Sequence, residues 1–332
     1  RAGQLADLLA AEAGPVSPDA ISAPSPIQRY FGVRGAALTV TQLAAAEATI
    51  AARGLSDLST APVALGDVVA ELRALLAVVD DFRRFSLPCS KDVLDGPSPA
   101  TGHGSAGTGL QRWIIGHHVY FMLNIRAAAM LRLALQALSR GDESATVSCI
   151  NTAVMYARGF TAAMAHASAI SPKCYQDQIR PTMAPPDTSV PLTGRMHKEH
   201  RAYRSALGQL LAALSEPYSA LAERSPALAE AREVLLDADL VDIERHILLA
   251  GSLVGGEPSL VRNRTRDSAV SMLREMRTLR AAQYYPLVRS GDRAAAQSAA
   301  ATHRRFATPE VAIKPVDGGV NGHNLEVSTP SP

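Results

Sequence analysis

Apolar residues recur at three- and four-residue spacing along most of the chain. Val69, Leu72, Leu75, Leu76 and Val79 fall on one side of a helix drawn over residues 66–85. The same spacing predicts helices over residues 39–52, 110–139, 143–169, 196–214, 217–251 and 266–286, with a short Ala-rich piece at 292–305. No series of alternating β-branched residues predicts strands, so the expected class is all-α, a single helical bundle with irregular Pro/Gly-rich loops. Residues 1–36 read as an N-terminal arm, 37–305 as the helical domain and 306–332 as a polar C-terminal tail.

The helix over 110–139 is apolar nearly all round, which predicts a central position in the bundle. Its polar members, His117, His118, Asn124 and Arg126, then need partners. The most hydrophobic run, residues 113–125, is shorter than the ~20 residues of a membrane span, and no membrane partner is expected. Two irregular stretches are long enough to cover a site: residues 88–109, rich in Gly, Pro and Ser and carrying His103, and residues 171–194, broken by Pro172, Pro181, Pro185, Pro186 and Pro191.

Composition narrows the function classes. With 332 residues and 47% hydrophobic content the chain can bury a large core, which excludes wholesale disorder. A formal charge of +2 lacks the basic excess of a nucleic-acid footprint. Cys89, Cys149 and Cys174 form no CxxC pair, which reads as a reducing, cytoplasmic compartment, and no leader pattern is recognised. The sequence contains no phosphate-loop, GxSxG, HExxH or CxxCH motif, and no paired Glu-x-x-His helices.

Histidine remains, nine in all. Over residues 196–214, His200 shares a stripe with Met196, Tyr203, Leu207, Leu210 and Leu214, while His197 is expected on the opposite face with Arg201 and Arg204. His117 lies in a row with Trp113, Tyr120, Phe121 and Asn124, and His118 in one with Ile115, Met122 and Ile125. An inward imidazole is either a core histidine satisfied by a carbonyl or a metal ligand. His246 follows Asp242 by four residues and is expected as a surface pair. His166 is expected among small residues, and His303 and His323 in solvent.

The segment WIIGHHVYF at 113–121 resembles the distal-histidine helix of tryptophan 2,3-dioxygenase-like proteins. YARGF at 156–160, IRPTMAPP at 179–186 and GRMHKEHRAYR at 194–204 resemble the histidine-ligated haem-dependent aromatic amino-acid hydroxylases of bacterial natural-product pathways, the tyrosine 3-hydroxylases among them. The resemblance implies haem with His200 as axial iron ligand, His246 being the alternative, and His117 distal, with His118 as alternate. It implies Trp113, Tyr203 and Arg126 about the cofactor, and Arg180, Arg126 or His103 on the substrate. Some members carry a haem-bonding cysteine four residues after the ligand; Arg204 stands there in this chain, so haem b held non-covalently is implied. The implied reaction oxidises tyrosine or a derivative to a catechol with peroxide or dioxygen. An indole-directed dioxygenase and a cofactor-free helical interaction protein are the alternatives, and a homodimer is plausible for such a bundle.

Overall fold

A computed structural model describes residues 2–85, 108–255, 260 and 268–289. Its helices are α1 (Ala2–Ala13), α2 (Pro26–Tyr30), α3 (Val40–Leu58), α4 (Leu65–Phe85), α5 (Thr108–Ser139), α6 (Glu143–Ala167), α7 (Pro172–Cys174), α8 (Lys198–Ala213), α9 (Tyr218–Arg224), α10 (Pro226–Leu253) and α11 (Ala269–Tyr284). Among the described residues no strand forms, only an isolated bridge between Ile21 and Ala36. The all-α expectation holds. Predicted features at 88–107, including His103, and at 292–332 lie outside the described residues.

Local chemistry sets the helix ends. Thr39 starts α3 with a capping box, its hydroxyl accepting from the Gln42 N–H while Gln42 Oε1 accepts from the Thr39 N–H. Gly141, at φ +71°, lets the chain turn out of α5, and Asp142 caps α6 by accepting from the Ala145 N–H. The single helix expected over 217–251 is two: Pro226 cannot continue the ladder of α9, and Ser225 caps α10 through the Leu228 N–H.

Helix α5 runs through the middle, packed against α6, α8 and α3. It is longer than its most apolar run suggested: by length and composition residues 109–139 would pass for a membrane span, with mean hydropathy 1.3 over an 18-residue window, half of it buried inside this bundle. Two glycines permit the closest approaches. A Cβ on Gly116 would stand 2.6 Å from the Ala167 Cβ and 2.7 Å from its backbone, and one on Gly159 would stand 2.3 Å from the Ala74 Cβ. Gly116→Ala is therefore expected to lower stability by about 1–3 kcal/mol in denaturant unfolding, because backbone cannot yield as a flexible side chain does.

The N-terminal arm joins the core. Leu9 of α1 is buried where α1 packs on α3, and Ile27 and Phe31 are buried at α2. Ionic contacts pin the helices further. Arg126 pairs with Glu47 of α3 and Asp81 of α4, and Arg245 of α10 with Asp67 of α4. His166, expected among small residues, is fully buried between two carboxylates: Nδ1 lies 2.9 Å from Glu71 and Nε2 2.8 Å from Asp57, which Arg112 also contacts. Burial works against its charge, but the hydrogen bonds to Asp57 and Glu71 outweigh it and raise His166 to about 9.

Candidate functional site: a buried histidine cluster

Three elements meet near the first third of α5: the end of α2, the start of α8 and α5 itself. Phe31, which caps α2, stacks on the His117 ring at 4.5 Å, and Trp113 lies 4.2 Å from the same ring. His197 sits 4.9 Å from Phe121 and 6.0 Å from His117. The third residue of α8, His200, stacks over Tyr120 at 6.1 Å and faces Tyr203 at 6.0 Å, with Phe160 of α6 closing that side. Aromatic walls therefore surround three imidazoles, two on helices α5 and α8 and one, His197, at the N-cap of α8.

Each imidazole is held in its neutral form. Burial, then the neighbouring histidine His197, pushes His117 well below its ordinary value. Burial, then His200, pushes His197 down to about 3; burial, then Arg280, does the same to His200. Neutral imidazoles keep a lone pair for a metal or a proton. The His117 Nδ1–H donates to the Trp113 carbonyl at 2.7 Å, which leaves Nε2 to accept. Asn124, fully buried one turn beyond Tyr120, places its Oδ1 3.1 Å from His200 Nδ1 and donates through Nδ2 to the Tyr120 carbonyl at 2.8 Å.

A charged network backs the His200 side. Asp239 of α10 accepts through Oδ2 from Arg204 at 2.5 Å, Tyr284 at 2.6 Å and Arg280 at 3.3 Å. Burial alone would raise Asp239, yet Arg280 and Arg204 hold its carboxyl at about 2. Among the described residues the buried Tyr203 hydroxyl has no hydrogen-bond partner, and burial raises its pKa well above the ordinary phenol value.

The sequence-derived residues divide accordingly. His117, Trp113, His200 and Tyr203 come together. His118 points elsewhere, donating from Nε2 to the Phe31 carbonyl at 2.7 Å. Arg126 is matched by Glu47 and Asp81 rather than turned toward the histidines. The Arg180 N–H donates to the Tyr175 carbonyl at 2.8 Å, and the Tyr175 ring packs 5.4 Å from Trp113.

Three expectations are corrected. His197 does not face outward: α8 begins at Lys198, so His197 is an extended N-cap residue at ψ 108°, outside the helical periodicity used to place it. Arg204 is not a solvent residue but the partner of Asp239. His246 is not a surface pair with Asp242: it is partly buried, and Asp242, 4% exposed, accepts from Thr161 at 3.1 Å. Sequence reasoning missed Phe31, His197 and the Asp239 network. For Phe31 the chain carries no local signal, since its partner His118 lies 87 residues on.

Comparison with known proteins follows the same residues. A family model described as SfmD 3-methyl-L-tyrosine peroxygenase matches residues 2–231, a span that includes Phe31, His117, His197 and His200. A 3-methyl-L-tyrosine peroxygenase of Streptomyces lavendulae is 31% identical over 116 residues, 33% of this chain and 32% of the relative, so the match spans about a third of the relative's length. The crystal structure of reduced SfmD soaked with sodium hydrosulfite aligns with a TM-score of 0.45 at 21% identity, over 72% of this chain and 88% of that one. With its matched span running from α1 into α10, the chain belongs to the SfmD 3-methyl-L-tyrosine peroxygenase family.

Proposed function

We propose that this protein is a haem-dependent peroxygenase that hydroxylates the aromatic ring of tyrosine or a ring-substituted tyrosine. The observation that carries the reading is the neutral histidine cluster inside aromatic walls, in a chain of the SfmD family. Among the described residues no three His, Cys, Asp or Glu side chains converge as ligands for a bare metal ion. One or two imidazoles suit an iron already chelated by a macrocycle, whose flat apolar faces match rings such as Tyr120 and Phe160.

His200 would hold the iron through Nε2, which has no hydrogen-bond partner among the described residues. Haem bound there would supply the iron that activates peroxide, so that one oxygen enters a ring C–H bond and the other leaves as water. His117 Nε2 would take or return a proton at the substrate phenol or the peroxide, since among the described residues its neutral imidazole is hydrogen-bonded only at Nδ1. Trp113 and Tyr203 would pack against the bound groups, and Phe31 and Phe121 would exclude water. Arg204 occupies the fourth position after His200 and is engaged with Asp239, which supports haem held without a thioether there.

The test is direct. Protein expressed with a haem precursor should show a Soret band and, as pyridine hemochromogen, near-stoichiometric b-type haem. Supplied with peroxide and 3-methyl-L-tyrosine or tyrosine, it should yield a product heavier by one oxygen atom. A protein without haem, or a product carrying two added oxygens from an opened ring, overturns the assignment.

A further inference from the structure

The central helix contributes one side chain whose chemistry is unusual for its position. Asn124 is fully buried on α5, in surroundings where an apolar residue would pack at no polar cost. Its carboxamide cannot be turned round: the Tyr120 carbonyl can only accept, so the amide Nδ2 must face it, at 2.8 Å. Oδ1 therefore faces His200 Nδ1 at 3.1 Å, and a carbonyl oxygen can only accept. The proton must then sit on His200 Nδ1, and the lone pair on Nε2.

We infer that Asn124 is a positioning residue that fixes His200 in the Nδ1–H tautomer and sets the orientation and basicity of its Nε2. The inference rests on the haem reading only for the use to which Nε2 is put. A partner on the far nitrogen of a metal-binding imidazole raises ligand basicity, and its loss typically costs about 10–100-fold in affinity. Asn124 is a neutral acceptor, so it lends the ring less negative character than a carboxylate would.

The experiment compares full-length wild type with Asn124→Leu and Asn124→Asp. Two-bond proton–nitrogen correlations of histidine-labelled, haem-free protein read the His200 tautomer. Nδ1–H is expected in wild type, with a shift toward Nε2–H in N124L. Haem titration is expected to give about 10–100-fold weaker binding for N124L. The loaded N124D protein, which keeps an acceptor and adds charge, is expected to bind haem with a more negative iron midpoint potential than wild type. Nε2–H in wild type, or an unchanged tautomer in N124L, overturns the inference. If N124L does not fold, an unchanged potential in N124D overturns it. Wild type with the expected tautomer but no affinity for haem overturns the proposed function while upholding the hold of Asn124 on His200.

Discussion

Replacing His166 with leucine is expected to cost about 3–5 kcal/mol, because it strips the charged partner from two carboxylates inside the protein. Asp57 would keep Arg112 at 3.1 Å, but Glu71, whose Oε2 already has no hydrogen-bond partner among the described residues, would lose its His166 bond. The same cluster predicts a pH dependence. The ordinary imidazole value is 6.5 and the folded value about 9, so the stabilisation is fully present below about pH 6.5 and is lost as pH rises through 9. Wild type should therefore unfold at lower urea concentration at pH 10 than at pH 7, with a smaller pH effect in H166L. A loss below about 1 kcal/mol at pH 7, or identical pH profiles, would show that His166 is uncharged in its pocket.

His200→Ala is expected to remove the Soret band. On the proposed ligation, the change should weaken haem binding by more than the ~100-fold that a missing outer-shell partner costs at most. Free imidazole should restore part of the spectrum by filling the space left behind. His118→Ala serves as the contrast, since that ring bonds the Phe31 carbonyl and should leave the absorption unchanged. Full haem occupancy with unaltered ligation in H200A would transfer the ligand role to another histidine.

The sequence reached the bundle because helical periodicity is a local property. Val69, Leu72 and Leu75 announce α4 without knowledge of any other segment. It reached His117 and His200 for the same reason: each lies inside a helix, where three- and four-residue spacing states which side chains share a face. His197 lies one residue ahead of α8, where that spacing does not apply, and was placed on the wrong side. Periodicity cannot report burial of His246 or a charge network in which Arg204 of α8 and Arg280 of α11 meet Asp239 of α10. The carboxylate partner of Arg204, Asp239, stands on α10 and reaches it only through helix packing. The Ser225–Pro226 break was written in the sequence as a cap followed by proline, a signal outweighed by the apolar pattern on both sides.

The wall formed by Phe31 has a consequence for biogenesis. The ribosome delivers this aromatic ring before its partner, since His118 is 87 residues further on, and neighbouring Tyr30 bonds Thr182 across 152 residues. At translation rates of roughly 5–20 residues per second, Tyr30 waits on the order of ten to thirty seconds for Thr182 to be made. His197 and His200 follow still later, so the histidine cluster cannot assemble before residues 197–200 are made. On the proposed function, haem capture would follow the synthesis of residues 197–200.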